Sequence, residues 1–220
     1  MTNNQMKYLI GLVLMSLTFW SCGQSKSSII SGLTISPLIK DKAEKHFRKM
    51  DEFEKVNTSN MGFQIFENNV EFEFYENDSL IISTQGKPRS MLFKSFYSWE
   101  GDTLTIDGAI GLFGGGGFSI KVVNGKATVY HMLSSDDSPT YAYEVKTGLI
   151  DRLEVPCHNV KAIVSEIPMK GASKIIYGYV EFKSENYYSS QGTVDGKELR
   201  PRKKSRSNMK MYFKSGELKM

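Results

Sequence analysis

The chain is poor in the residues that staple small folds or build metal centres. Its 220 residues include two cysteines, three histidines and six prolines. Two cysteines cannot supply the dense disulfide framework on which small secreted domains depend. Metal-ligand clusters are also missing. The nearest approaches are His131 with Asp136 and Asp137, and Glu154 with Cys157 and His158. The first draws its carboxylates from a loop and the second lacks a repeated ligand pair, so no metal is expected. Long apolar runs are absent too. The stretch Tyr8 to Trp20 holds thirteen uncharged residues, whereas a bilayer-spanning helix needs about 20. Acidic residues are missing from everything before Asp41.

A lone Lys7, a short apolar core broken by Gly11, Ser16 and Thr18, and then Ser21-Cys22-Gly23 make a secretory leader rather than a permanent span. Leu17-Thr18-Phe19-Trp20-Ser21-Cys22 resembles the lipobox of bacterial lipoproteins. The resemblance covers residues 1–22 only, and Phe19-Trp20 is bulkier than the usual lead-in. It implies cleavage between Ser21 and Cys22, and a diacylglycerol on the Cys22 thiol, which becomes the mature N-terminus. More than one acyl chain then makes the membrane anchor stable, at about 0.8 kcal/mol per buried CH₂. By the same resemblance, Gly23 rather than Asp at the second mature position implies the outer membrane. Gln24-Ser25-Lys26-Ser27 lacks an acidic export cluster, which implies its periplasmic face. With Cys22 committed to lipid, Cys157 has no partner within the chain.

The expected organisation is a signal peptide at 1–21, a lipid-attached tether at 22–35, one β-rich domain at 36–214 and a tail at 215–220. The mature chain is long enough for a sizeable core, and 40% apolar with 24% charged residues is a globular composition. The net charge of +4 conceals an asymmetry, because residues 197–220 carry nine Lys/Arg against Glu198 and Glu217. Such a segment suits anionic headgroups, a protein partner, or a strand edge kept soluble by lysines. Nucleic acid is not expected, since no basic stripe runs through the rest of the chain.

Ser36-Pro37 followed by Ile39, Ala43, Phe47, Met50 and Phe53 at helical spacing predicts one five-turn amphipathic helix. From Phe63 the period becomes two. Val70, Phe72 and Phe74 alternate with Glu71 and Glu73, which predicts a half-buried strand. Asn124-Gly125 demands a type I′ hairpin turn, and its register sets Phe118 opposite His131, Ile120 opposite Val129 and Val122 opposite Ala127. About eleven short strands with tight turns predict a mainly β fold, an antiparallel meander closing into a barrel or sandwich. In general architecture the chain is similar to lipocalin-like envelope lipoproteins, although no lipocalin motif is present.

Chemistry-bearing motifs are few. Gly114-Gly115-Gly116-Gly117 is followed by Phe118-Ser119-Ile120-Lys121, which opens a strand, so neither a phosphate loop nor a dinucleotide fingerprint is formed. Gly111–Gly117 is expected to be a flexible loop or lid with Leu112 and Phe113 at its tip, and no cofactor is expected. Cys157-His158 fails as a nucleophile and base, because neighbours on a strand point to opposite faces. No catalytic residue is assigned. His131 on the apolar face is either a satisfied core histidine or the polar contact of a ligand cavity. His131, Val129 and Phe118 are the cavity candidates. The expected function is a non-catalytic envelope lipoprotein that binds a small apolar ligand or lipid. The alternative is a module docking an envelope protein through strand edges or the basic C-terminus.

Overall fold

The computed structural model describes residues 28–47, 68–86, 93–111, 114–136, 138–194 and 197–218. The leader with Ser21 and Cys22, and the expected helical positions Met50 and Phe53, lie outside them.

Alternating patterns dominate, and strands follow. In chain order they are β1 (Ser28–Ile30), β2 (Leu33–Ile35), β3 (Asn69–Glu76), β4 (Ser79–Ser83), β5 (Phe93–Glu100), β6 (Thr103–Ile110), β7 (Gly115–Val123) and β8 (Lys126–Ser134). Next come β9 (Tyr141–Ala142), β10 (Arg152–Val164), β11 (Ile176–Ser184), β12 (Tyr187–Ser189), β13 (Thr193–Val194), β14 (Lys197–Glu198) and β15 (Lys203–Glu217). One helix, α1 (Ile39–His46), is present among the described residues. The fold is mainly β, as expected.

Strands β5, β6, β7, β8, β10, β11 and β15 pair successively into a ring. The ring closes where β15 meets β5 in parallel, Gly216 beside Phe96 and Glu217 beside Tyr97. Closure removes exposed edges, the device by which antiparallel sheets become barrels. Inward residues fill the interior: Leu104, Ile106, Phe118, Ile120, Val180, Met211 and Phe213 are all buried. Phe118 and Phe213 pack with ring centroids 4.8 Å apart. The β7–β8 hairpin has the expected register throughout, and its turn residues Asn124 and Gly125 both have positive φ.

Strand β15 is longer than the ring requires. Its first half pairs with β3 on one side and β12 on the other, while β4 and β9 extend that sheet outward. This extension folds beside one end of the ring. Leu133, Leu153, Val155 and Tyr187 form a second apolar cluster there, with Phe74 and Tyr141 against it.

Several expectations need correction. The segment expected as a tether enters the sheet, since β1 and β2 form a hairpin and β2 runs parallel to the end of β10. Leu33 is buried, and the Ala127 N–H donates to the Ser31 carbonyl at 2.7 Å. The helix spans two turns rather than five. Ser36 does not cap it: the helix starts after Leu38 with no side-chain cap bond, and the Ser36 N–H donates to the Val164 carbonyl at 2.8 Å. At the other end Phe47 turns to an extended conformation, and the Asn69 side chain donates to the His46 carbonyl at 2.8 Å. The runs Leu149–Val155 and Val160–Ile167 are joined in one thirteen-residue strand, bent by a bulge at Asn159, whose φ is +52°.

Of the readings open for the C-terminal basic segment, the strand fits: most of it is β15, and most of its charges meet partners within the sheet or beside it. Arg202 pairs with Glu198, Lys203 with Glu76, Lys204 with Asp78 and Lys210 with Glu181, while Arg206 lies 3.6 Å from the Tyr75 ring centroid. The strand runs through Glu217, so residues 215–217 belong to the ring.

The expected loop at Gly111–Gly117 is strand from Gly115 on, and its tip, Leu112 and Phe113, lies outside the described residues. Gly115, Gly116 and Gly117 are strand residues paired with Ser134, Leu133 and Met132 of β8, and Gly116 and Gly117 pair also with Ile110 and Ala109 of β6. A Cβ on Gly115 would collide with the Ile110 carbonyl and one on Gly117 with the Gly108 carbonyl. The bare backbone lets the strands approach where β7 begins.

Candidate functional site

Between the ring end and the extension lies a pocket of about 490 Å³, within the size range of small-molecule sites. The sheet extension supplies Phe72 and Phe74 from β3, Ser207 and Met209 from β15, and Tyr187 and Ser189 from β12. On β3 and β15 these positions alternate with Glu71, Glu73 and Asn208, which lie on the other face of the sheet. The Asn208 amide donates to Glu73 at 2.7 Å. The ring supplies Ile110, Gly111, Gly115, Gly116, His131 and Leu133, and Thr140 and Tyr141 close one side. No lining residue carries a formal charge at neutral pH.

Gly116 explains part of the free volume. Its Cβ would lie 3.3 Å from His131 Cε1 and 3.7 Å from Leu133 Cδ2, both side chains of the lining. A larger residue there would grow into the space.

His131 is the one ionisable nitrogen group in the lining. It sits on β8 opposite Phe118, is only 3% exposed, and packs between Phe182 and Tyr187 with ring centroids at 5.8 and 5.9 Å. Its Nδ1 lies 2.8 Å from the Gly117 carbonyl oxygen. A carbonyl only accepts, so Nδ1 carries the proton and donates. Burial drives the imidazole pKa down to about 4, against a smaller opposing effect of the Gly117 bond. The ring is therefore neutral at pH 7, and Nε2 is a bare acceptor. Nε2 is buried and has no hydrogen-bond partner, a condition that costs about 1–3 kcal/mol for a buried polar atom.

The remaining polar groups are hydroxyls held protonated or engaged. Burial pushes the Tyr187 hydroxyl up to about 12, and it lies 3.5 Å from Ser207 Oγ. Burial likewise raises Tyr141. Thr140 Oγ1 donates to the Ser138 carbonyl at 2.8 Å. The arrangement can hold an apolar body among a few hydroxyl side chains.

Of the three cavity candidates, His131 lines this pocket, whereas Val129 and Phe118 do not. Both are buried in the packed ring interior, Phe118 against Phe213. The pattern placed all three on one face correctly. It could not show that only the His131 end of that face meets free volume. The aromatic lining from β3 and β12 and the glycine floor were also missed as site residues. Phe72 and Phe74 were legible as an apolar face, but what they face is set by pairing with β15.

The cysteine is poorly suited to nucleophilic chemistry. Burial pushes the Cys157 thiol up to about 12, and its Sγ lies 3.6 Å from the Val155 carbonyl. His158 points elsewhere, its Nδ1 lying 3.2 Å from Glu185. Among the described residues no group of three His, Cys, Asp or Glu side chains could hold a metal ion, and Asp137 lies outside those residues.

Comparison with protein-family models, with curated proteins and with solved structures finds no match.

Proposed function

We propose that the chain is a non-catalytic lipoprotein of the bacterial cell envelope whose β-domain binds a small apolar ligand or lipid. Cys22 carries the lipid, and the anchor sits in the outer membrane on its periplasmic face. The single observation that carries the binding reading is the uncharged, largely apolar pocket of about 490 Å³ between the ring end and the sheet extension. The anchor rests on the leader, where Leu17 to Cys22 resembles a lipobox.

Two experiments test the reading. Native mass spectrometry of protein purified gently from the periplasm should show a discrete added mass of lipid-like composition. Gly116→Leu should remove that mass while the far-ultraviolet spectrum and unfolding midpoint persist, because the new side chain occupies the pocket rather than the ring interior. Retention of the ligand by the filled variant would sink the reading. For the anchor, Cys22→Ser should abolish incorporation of labelled palmitate.

A second reading, docking of an envelope protein, is favoured by one feature. Edge strand β4 pairs only with β3 and exposes Leu80, Ile81 and Ile82. An exposed apolar edge is a template for strand addition. Leu80→Lys with Ile82→Lys should release a partner cross-linked in the envelope. An unchanged cross-linking pattern refutes docking through this edge.

A further inference from the structure

We infer that the ring end bearing residues 165–175 rests on the phospholipid surface to which Cys22 is tied, with Met169 inserted among the acyl chains and the pocket turned away from the bilayer. The inference rests on the lipid-anchor reading above and adds to it a contact surface and an orientation.

Three observations carry it. First, the loop is built to present its tip. The Trp99 indole N–H donates to the Pro168 carbonyl at 3.2 Å, and the Tyr97 hydroxyl donates to the Lys174 carbonyl at 2.9 Å. The Gly171 and Ser173 N–H groups both donate to the Glu217 carboxylate at 2.9 Å. Held so, Met169 is 74% exposed, more than any other large apolar side chain among the described residues. Ile175, Leu38 and Val123, at the same end of the ring or on its rim, are exposed as well. Second, the anchor enters here. Ser28 pairs with Ile35, and Ile35 with Val164 at the base of the loop. Two strand spacings, about 10 Å, separate Ser28 from that base. Six peptide units join Cys22 to Ser28, and they span at most about 22 Å however they are arranged. Third, the side chains suit headgroup depth. Lys170 Nζ lies 5.5 Å from the Trp99 ring centroid, and such amphipathic side chains keep an apolar body in lipid and a polar tip in water.

Charge does not draw this end to the membrane, because Lys170 lies 3.6 Å from Asp102 and Lys174 lies 2.9 Å from Glu166. The contact is apolar, and weak on its own. The tether makes it count, since so short a link gives the loop an effective concentration of roughly millimolar order at the surface. The pocket lies at the other end. Gly115 and Leu133 of its lining stand where β7 starts and β8 ends, whereas Val123 and Lys126 flank the turn on the membrane side. The strand from Gly115 to Val123, at about 3.4 Å per residue, puts about 27 Å between the two ends. A guest is therefore taken up from the aqueous side rather than from the anchoring bilayer.

The test uses the full chain, expressed in a bacterium that processes lipoproteins and reconstituted in vesicles of phosphatidylethanolamine and phosphatidylglycerol. A nitroxide is attached to Met169→Cys or, in a separate chain, to Asp136→Cys beside the pocket end. Both positions are exposed, so neither change threatens the fold, and burial keeps the Cys157 thiol from competing for the label. Spin relaxation is then read with oxygen, which concentrates in hydrocarbon, and with a water-soluble nickel chelate. Oxygen should dominate at position 169 and the chelate at position 136. If the chelate dominates at both, the loop does not enter lipid, and the contact is overturned while the anchor stands. If oxygen dominates at 136, the pocket end meets the bilayer and the orientation is overturned. The intact mass of each chain reports the anchor separately. A chain that keeps residues 1–21 or carries no acyl group fails the anchor reading, and the contact falls with it.

Discussion

Lowering the pH should destabilise this protein through His131, with an amount and a sign that follow from its burial. The ring has a pKa of about 4 in the folded chain, against about 6.5 in an unfolded one. Above pH 6.5 both states hold it neutral, and the group makes no pH-dependent contribution. As pH falls from 6.5 toward 4, the unfolded chain takes up a proton that the folded chain refuses. The unfolded state is stabilised, and folding free energy drops by about 1.4 kcal/mol per pH unit. At pH 5 the loss relative to pH 7.5 is about 2 kcal/mol. It approaches about 3 kcal/mol near pH 4, where the folded ring also protonates and the loss levels off. Urea unfolding of wild type and His131→Leu at half-unit steps from pH 7.5 to 4 isolates this group, because carboxylates titrate alike in both. Wild type should lose stability more steeply by one proton between pH 6.5 and 4. Parallel curves would refute the argument and mean that the ring is solvated or already paired.

Gly178 lies opposite Phe213, and a Cβ there would fall inside the aromatic ring. Gly178→Ala should cost about 1–3 kcal/mol by overpacking, and Phe213→Leu should relieve part of that cost in the double variant. Additive losses in denaturant unfolding would refute the contact. Cys157, with its thiol pushed up to about 12, should react with a disulfide reagent at pH 8 at least a hundredfold more slowly in the native protein than in urea. Equal rates would reveal an accessible thiolate. Arg202 binds Glu198 and also donates to the Glu144 and Thr147 carbonyls, at 3.1 and 2.6 Å. Arg202→Ala should therefore speed amide exchange in residues 144–148 and leave β7 and β8 unchanged. Unchanged exchange in residues 144–148 would show that this staple does not hold the loop.

Local rules made the fold legible wherever one hairpin settles its own register. Asn124-Gly125 was enough to place Phe118 opposite His131 and to bury the correct face. The failures share a different cause. Ser28–Ile35 read as a polar tether because its serines outweighed Ile29-Ile30 and Leu33-Thr34-Ile35, although Ser31-Gly32 between them is a turn signal. The glycine run looked flexible because glycine usually is, whereas here its lack of side chains lets β6 and β8 close on β7. The basic segment 197–217 left a membrane, a partner and a strand edge open because the pairing acids, Glu76, Asp78 and Glu181, are remote in sequence. The pocket was only partly legible for the same reason. His131 stood out as a polar residue on an apolar face, but its neighbours come from β3, β12 and β15, whose meeting no local pattern encodes.

The position of β15 has a consequence for how the chain acquires its structure. It is the last of the described strands in chain order, yet β3, β5, β11 and β12 all pair with it, and ring closure joins residue 216 to residue 96. Until that strand emerges, β3 and β11 each lack a partner. Pairings so distant carry a large loop-closure entropy and slow the search. The chain therefore stays open until β15 has been made. The same delay leaves the apolar β4 segment and its unpaired neighbour exposed in the interval, when a holding chaperone would have most to protect.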